Sequence, residues 1–209
     1  MKLYYAPGAC SLATRISLHE AGIWAEFERV DVKAKITASG ADYLTINPKG
    51  SVPLLVLDDG AAVTENVAIM DLLSQLEPKL GVDGPLGRTR LIEMLSFLST
   101  ELHIAFKPFF HDSPPEERAK AATAVTRCLD LLEDRVRDDY LFGTRFTGAD
   151  AYLWVMLRWA AAFRVPMQPE MAAYFKRVAM RPTVQQALGE EELTFTEPTL
   201  AAPLQPVMA

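Results

Sequence analysis

From Glu77 to Gly87 the chain carries two prolines and three glycines in eleven residues, a density that interrupts any helix or strand. The segment separates two unlike halves. Lys2 to Ala6 is predicted as a strand broken by Pro7-Gly8, followed by a helix from Ser11 to Ala21 that Gly22 ends in a left-handed turn. Phe27 to Val32 is a second strand. Leu54 to Leu57, the turn Asp58-Asp59-Gly60 and Ala61 to Val63 form a predicted hairpin. Ile69, Leu73 and Leu76 at i, i+4 and i+7 then predict an amphipathic helix from Glu65 to Leu76, stopped by Pro78. This order, βαβ and then ββα, assigns residues 1–80 to a sheet-bearing domain and 81–87 to a linker. Residues 88–193 read as all-helical, with an extended tail at 194–209.

Arg88 to Lys107 is predicted as one helix. Leu91, Leu95, Leu98 and Leu102 make one stripe along it, and Met94, Phe97 and Ile104 a neighbouring one. Together they cover about half the circumference, more than the ~100° that a single packing face needs. One stripe therefore wants a second partner, and a homodimer built on this helix is expected. Ser96, Thr100 and His103 form a polar row at i, i+4 and i+7 that faces either solvent or a ligand. Ser113-Pro114-Pro115-Glu116 predicts a capping-box start, and Thr147-Gly148-Ala149-Asp150 a second with Asp in place of Glu. Pro166, Pro169 and Pro182 divide the last third into short helices.

A net charge of −6 argues against a nucleic-acid surface, while a small anion could still be drawn by a few local cations. The longest apolar run, Ala151 to Leu157, is far shorter than the roughly 20 residues of a membrane span. Met1 to Gly8 shows no apolar leader, so a soluble, cytoplasmic protein is expected. The chain has no G-x-G-x-x-G or Walker loop and no His, Cys, Asp and Glu at metal-ligand spacing. Neither a nucleotide nor a metal is expected.

Cys10 stands where the first turn enters the first helix, so the positive end of that helix should favour its thiolate. The effect is about 0.3 to 1 kcal/mol against about 1.4 kcal/mol per pKa unit, so the shift is modest without more donors or a cation. Cys10-Ser11-Leu12-Ala13 lacks the second cysteine of a C-x-x-C, and any redox work would be monothiol. The plainer alternative is a small buried residue in a tight turn. Cys128, among Val125, Leu129 and Leu132, is read as core. In Asn47-Pro48-Lys49-Gly50-Ser51-Val52-Pro53 the Pro53 ring removes a strand N–H, which makes this an edge or a bend. A bend would leave Val52 free to pair its backbone with an extended peptide. Only about 5 to 6% of X–Pro bonds are cis, so the residues alone do not license that geometry. Thr64-Glu65-Asn66 opens a helix whose N–H groups can hold a carboxylate while Glu65 accepts from an ammonium, an arrangement suited to an α-amino acid end. An ordinary helix cap is the alternative there.

Several motifs act as a set: Tyr4-Tyr5-Ala6-Pro7-Gly8-Ala9-Cys10-Ser11-Leu12, the Asn47 to Pro53 segment, Thr64-Glu65-Asn66-Val67-Ala68-Ile69, Thr100-Glu101-Leu102-His103, and Arg145 to Tyr152. Over nearly its whole length the chain resembles the beta class of bacterial glutathione transferases. The resemblance implies an α/β plus all-α fold, with a thioredoxin-like amino-terminal domain before a helical carboxy-terminal domain. It also implies a homodimer, glutathione as co-substrate, and catalytic roles for Cys10 and His103. Glutathione's sulfur would lie at Cys10, beside Tyr5 and Ser11, and its glycine carboxylate near Lys35. Val52, before a cis Pro53, would pair with its cysteinyl part, and Glu65 and Asn66 would bind the γ-glutamyl end. Ser96 and His103 would reach across from a second subunit, with Thr100 and Glu101 beside them. Phe106, Phe110, Tyr152 and Trp159 would wall the electrophile pocket. The implied activity is conjugation of the glutathione thiolate to small hydrophobic electrophiles, with peroxidase or thioltransferase activity through Cys10. A non-catalytic binding module, or a single-substrate dehalogenase or isomerase on the same fold, are the competing expectations.

Overall fold

A computed structural model describes residues 1–201. β1 (Lys2–Tyr5) occupies the centre of a five-stranded sheet, and its period-two alternation sends successive side chains to opposite faces. Leu3 enters the main core with α1 (Ser11–Ala21), whereas Tyr4 joins Val30, Tyr43 and Leu54 in a smaller cluster on the other face. β2 (Glu26–Asp31) runs parallel to β1, after which come β3 (Ile36–Thr37) and the single-turn α2 (Tyr43–Ile46). β4 (Leu54–Val56) and β5 (Ala62–Thr64) complete the order β3-β2-β1-β4-β5, with β4 antiparallel to β1 and Leu55 opposite Leu3. α3 (Asn66–Leu76) then packs against α1. This is the thioredoxin-like sheet that the resemblance implied, with β3 and α2 as elements too short to register as periodic runs.

A 3-10 turn (Pro78–Leu80) leads into the helical half. The segment read as one helix is broken: α4 (Gly87–Phe97) passes into a π-helical turn (Leu98–Leu102), then α5 (His103–Ala105) and α6 (Lys107–Phe110). In that turn the His103 N–H donates to the Leu98 carbonyl, five residues back. Leu91, Leu95, Leu98 and Leu102 are all fully buried, but the second stripe splits, with Met94 buried and Ile104 exposed. α7 (Pro115–Asp130) begins one residue later than the predicted capping box requires, so Pro114 occupies the cap and Ser113 bonds no helix N–H. After a 3-10 turn (Glu133–Val136) comes α8 (Gly148–Ala162), which opens on the box that was expected: Thr147 and Asp150 satisfy each other's backbone N–H groups. Nearly every residue of α8 is buried, as suits an apolar helix packed on all sides, here by α1, α3, α4 and α9 (Pro169–Ala179). α10 (Pro182–Glu190) starts, like α9, on a proline at its first position. One continuous apolar cluster runs from Leu3 and Ile16 through Trp154 and Phe175 to Leu188.

Beyond Leu193 residues 194–201 are extended: the Met167 N–H donates to the Thr199 carbonyl at 2.8 Å, and Phe195 stacks on Phe175. The remainder of the predicted tail, 202–209, lies outside the described residues. Among the described residues no helix is long and apolar enough to cross a membrane.

Candidate active site

The turn from β1 into α1 is held by its own residues. The Ser11 hydroxyl is buried, accepting from the Ala6 N–H at 3.2 Å and facing the Ala6 carbonyl at 3.3 Å. Gly8 has φ of +69°, a left-handed backbone that favours glycine, and a Cβ there would lie 3.1 Å from Arg158 Nη1, the far end of a flexible side chain. Trp159 Nε1 donates to the Gly8 carbonyl at 2.8 Å, tying the turn to α8. This delivers Cys10 to the first position before α1, with its Sγ donating to the Val52 carbonyl at 3.4 Å. The expected thiolate is not favoured here. Burial pushes the Cys10 thiol up to about 11, outweighing the hydrogen bonds from its own and the Ser11 backbone that pull it down. No cation lines this cleft within the sheet half, and a helix end alone cannot offset the loss of water.

The second wall is the bend at Val52-Pro53, a cis peptide bond that leaves Val52 outside the β4 ladder. Glu65, at φ 69°, opens α3 in a backbone region that costs a non-glycine residue roughly 1 to 3 kcal/mol. Its carboxylate is exposed and held by Lys49 Nζ at 2.6 Å. Asn66 turns inward. Its Oδ1 accepts from Thr14 Oγ1 at 3.0 Å and its Nδ2 donates to the Cys10 carbonyl at 3.1 Å. The amide thus locks the start of α3 to the start of α1, which leaves only its backbone for a ligand.

Ser99, His103, Ile104, Lys107 and Tyr152 close the cleft from the helical half, across from Cys10, Ser51, Val52, Pro53, Glu65 and Asn66, around a volume of about 350 Å³. His103 Nδ1 and the Tyr152 hydroxyl share a hydrogen bond of 2.8 Å. Burial, helped by the Lys107 charge, lowers the His103 pKa, and burial raises that of Tyr152, so both are neutral at pH 7. An extended edge at Val52 and a helix N-terminus beside a carboxylate suit an extended peptide with an amino-acid end.

The family model described as "Glutathione S-transferase, N-terminal domain" matches residues 8–76, and the one for the C-terminal domain matches residues 115–177. The chain is 42% identical to the glutathione S-transferase GstA of Escherichia coli O157:H7, over 92% of this chain and all of the relative. The chain belongs to the glutathione S-transferase family. Among solved structures, the bacterial beta-class enzyme of Sphingomonas chungbukensis superposes with a TM-score of 0.85 at 42% identity, covering 93% of this chain and all of that one. A sphingomonad glutathione S-transferase complexed with glutathione gives 0.86 at 40% identity, again over 93% and 100%.

Within this transferase the structure gathers Cys10, Val52, Pro53, Glu65, Asn66, His103 and Tyr152 from the expected set around one cleft. His103 reaches the cleft from the same chain, so the expectation that it arrives from a second subunit is not needed. The others stand apart. Tyr5 lies under the Arg15 guanidinium at 4.1 Å, Ser11 is spent on Ala6, and Lys35 Nζ donates to the Gly50 carbonyl at 2.7 Å, one residue from the lining Ser51. Ser96, Thr100 and Glu101, expected to reach a cleft from a second subunit, do not line this chain's own cleft. Thr100 bonds back to the Ser96 carbonyl at 3.0 Å, and Glu101 lines a groove against α7 with the half-buried Cys128. Phe106, Phe110 and Trp159 pack together behind His103, with Trp159 4.9 Å from its ring, rather than on the cleft wall. Ser51, Ser99, Ile104 and Lys107 were missed. Ser99, His103 and Lys107 recur at i, i+4 and i+8, a spacing that could have pointed to them.

Proposed function

We propose that this transferase binds glutathione extended along Val52, its sulfur beside Cys10, and transfers the thiolate to small hydrophobic electrophiles. The γ-glutamyl end meets the N-terminus of α3, where the backbone of Asn66 takes the carboxylate and Glu65 takes the ammonium in exchange for Lys49. Lys35 stands beyond Ser51 as the cation for the glycine end. The observation that carries this reading is the Cys10 thiol donating to the Val52 carbonyl at the mouth of α1. With Cys10 pushed up to about 11, its proton stays in place at neutral pH, which makes it a donor to a second sulfur rather than a competing anion. Glutathione's thiol therefore ionises first, and Cys10, the α1 N-terminus and the Tyr152 and Ser99 hydroxyls surround the anion with donors. The electrophile rests on Ile104.

In the same reading the working unit is a homodimer, with the exposed flank of α4 placed towards a second copy. Calorimetry should show uptake of glutathione, and the protein should conjugate it to 1-chloro-2,4-dinitrobenzene. Absence of both would refute the proposal, and a sedimenting monomer at micromolar concentration would refute the dimer.

A further inference from the structure

Among the described residues Lys107 is the one cation on the wall of the Cys10 cleft, and no ion pair engages it there. The ion pairs among the described residues engage Lys2, Lys49, Lys79 and Lys176 but not Lys107. The one acid on the cleft wall, Glu65, is held by Lys49 at 2.6 Å. A single positive charge is thus left over in the pocket of a chain whose net charge is −6. It follows His103 by one helical turn and is close enough to disfavour the protonated imidazole. Beside it lies the half-exposed Ile104, an apolar surface for a flat body, with the buried Tyr152 behind it. The pocket therefore offers an apolar wall with a cation at one side, and the attacking thiolate is itself an anion. A negatively charged electrophile would be repelled by that thiolate unless a fixed cation offset the repulsion at the far end.

We infer that Lys107 selects electrophiles that carry a carboxylate on an apolar, aromatic body. This rests on the transferase reading above and narrows its substrate class. The step is an aromatic substitution: the glutathione sulfur forms a bond to the ring carbon, and the carbon–chlorine bond breaks with its electron pair leaving as chloride. The thiol proton passes to water before attack.

The matched probes are 4-chloro-3-nitrobenzoate and 4-chloro-3-nitrobenzamide, which share a ring and differ in charge. For each, kcat/KM at saturating glutathione is divided by its uncatalysed rate with glutathione, and the benzoate-to-amide ratio is compared between proteins. The wild-type ratio should exceed that of Lys107→Met about tenfold and that of Lys107→Glu by more, since one charge-assisted contact contributes on the order of tenfold. Lys107→Arg should keep it. Raising the ionic strength from about 0.05 to about 0.5 M should shrink the wild-type preference. Equal ratios in all four proteins would overturn the inference. So would a rise in the KM for glutathione by the same factor with both probes, which would put Lys107 on the peptide's carboxylate. Glutathione uptake is read by calorimetry on the same preparations: its loss in the wild type defeats the transferase reading as well, whereas equal ratios with uptake intact defeat only the role of Lys107.

Discussion

A thiol pushed up to about 11 is all but fully protonated at neutral pH, with a thiolate fraction on the order of 1 in 10,000. Alkylation of Cys10 by iodoacetamide, followed by mass spectrometry, should therefore be slow at pH 7 and quicken about tenfold per pH unit into the alkaline range. A rate that levels off below pH 8 would show that burial does not decide its state. Because Cys10 acts as a donor, Cys10→Ala should cost conjugation roughly threefold to tenfold, the worth of one hydrogen bond of about 1 kcal/mol, while thiol–disulfide exchange through this site vanishes. Loss of more than a thousandfold in conjugation would mean that Cys10 does more than donate. The sequence placed Cys10 at the helix mouth correctly, since Pro7-Gly8 and the following apolar run are local signals. The rise of its pKa was not legible, because the groups that surround the thiol, Tyr152 and Asn66 among them, arrive from distant segments. The same limit applies to Asn66: its helix-start position was legible, but Thr14 and the Cys10 carbonyl, which absorb its side chain, were not.

Among the elements, α8 was the most legible and α4 to α6 the least. Thr147 to Asp150 is a four-residue signature whose consequences are local, and the structure realises it fully. Asp150 goes further than a cap: buried, it also accepts from the Leu141 N–H at 2.8 Å and from the Tyr174 hydroxyl at 2.7 Å. Asp150→Ala should strand these donors in the core and lower the unfolding free energy by about 3 to 5 kcal/mol, read from the urea midpoint. A change below 1 kcal/mol would mean the donors find other partners. The π turn is a different case. No residue from Leu98 to Leu102 signals it, because an extra residue in a helix turn is chosen by what the flanking faces pack against. The turn lies within the wall of the site, where Ser99 and His103 line the cleft together with Lys107 from α6. Ser99→Ala should accordingly change kcat/KM for glutathione by about threefold or more, as loss of one donor to the sulfur would. Equal kinetics for Ser99→Ala and the wild type would place Ser99 outside the working site.

Across the whole molecule, the two halves meet beneath the Cys10 turn in a buried charge cluster. Arg15, almost fully buried, reaches Glu190 at 2.8 Å and Glu191 at 3.1 Å, and His19 joins Glu190 at 2.8 Å. Glu191 accepts the Gly8 N–H at 2.8 Å, so the residue that anchors the turn before Cys10 comes from the end of α10. The buried side-chain atoms left without a hydrogen bond among the described residues all fall here, on Arg15, Arg158 and Glu191. Burial raises the Glu191 carboxyl from 4.5 to about 7, against the opposing pull of the Gly8 N–H and the two arginines. The folded protein therefore keeps a proton that the unfolded chain releases near pH 4.5, and it binds more protons throughout the window from there to about pH 7. Stability from this group is present below that window and lost as pH rises through it, by about 3 kcal/mol at most for a shift of this size. His103, with its lowered pKa, contributes in the opposite sense, so wild-type stability alone does not isolate Glu191. The comparison with Glu191→Gln does, because the amide keeps an acceptor for Gly8 and does not titrate. The wild-type minus variant difference in unfolding free energy, from urea curves at successive pH values, should fall between about pH 4.5 and 7 and then level off. Parallel curves would mean that Arg15 and Arg158 hold the carboxylate ionised throughout. In that case the seam between the halves is a permanent ion cluster, and the turn that carries Cys10 is anchored alike at every pH.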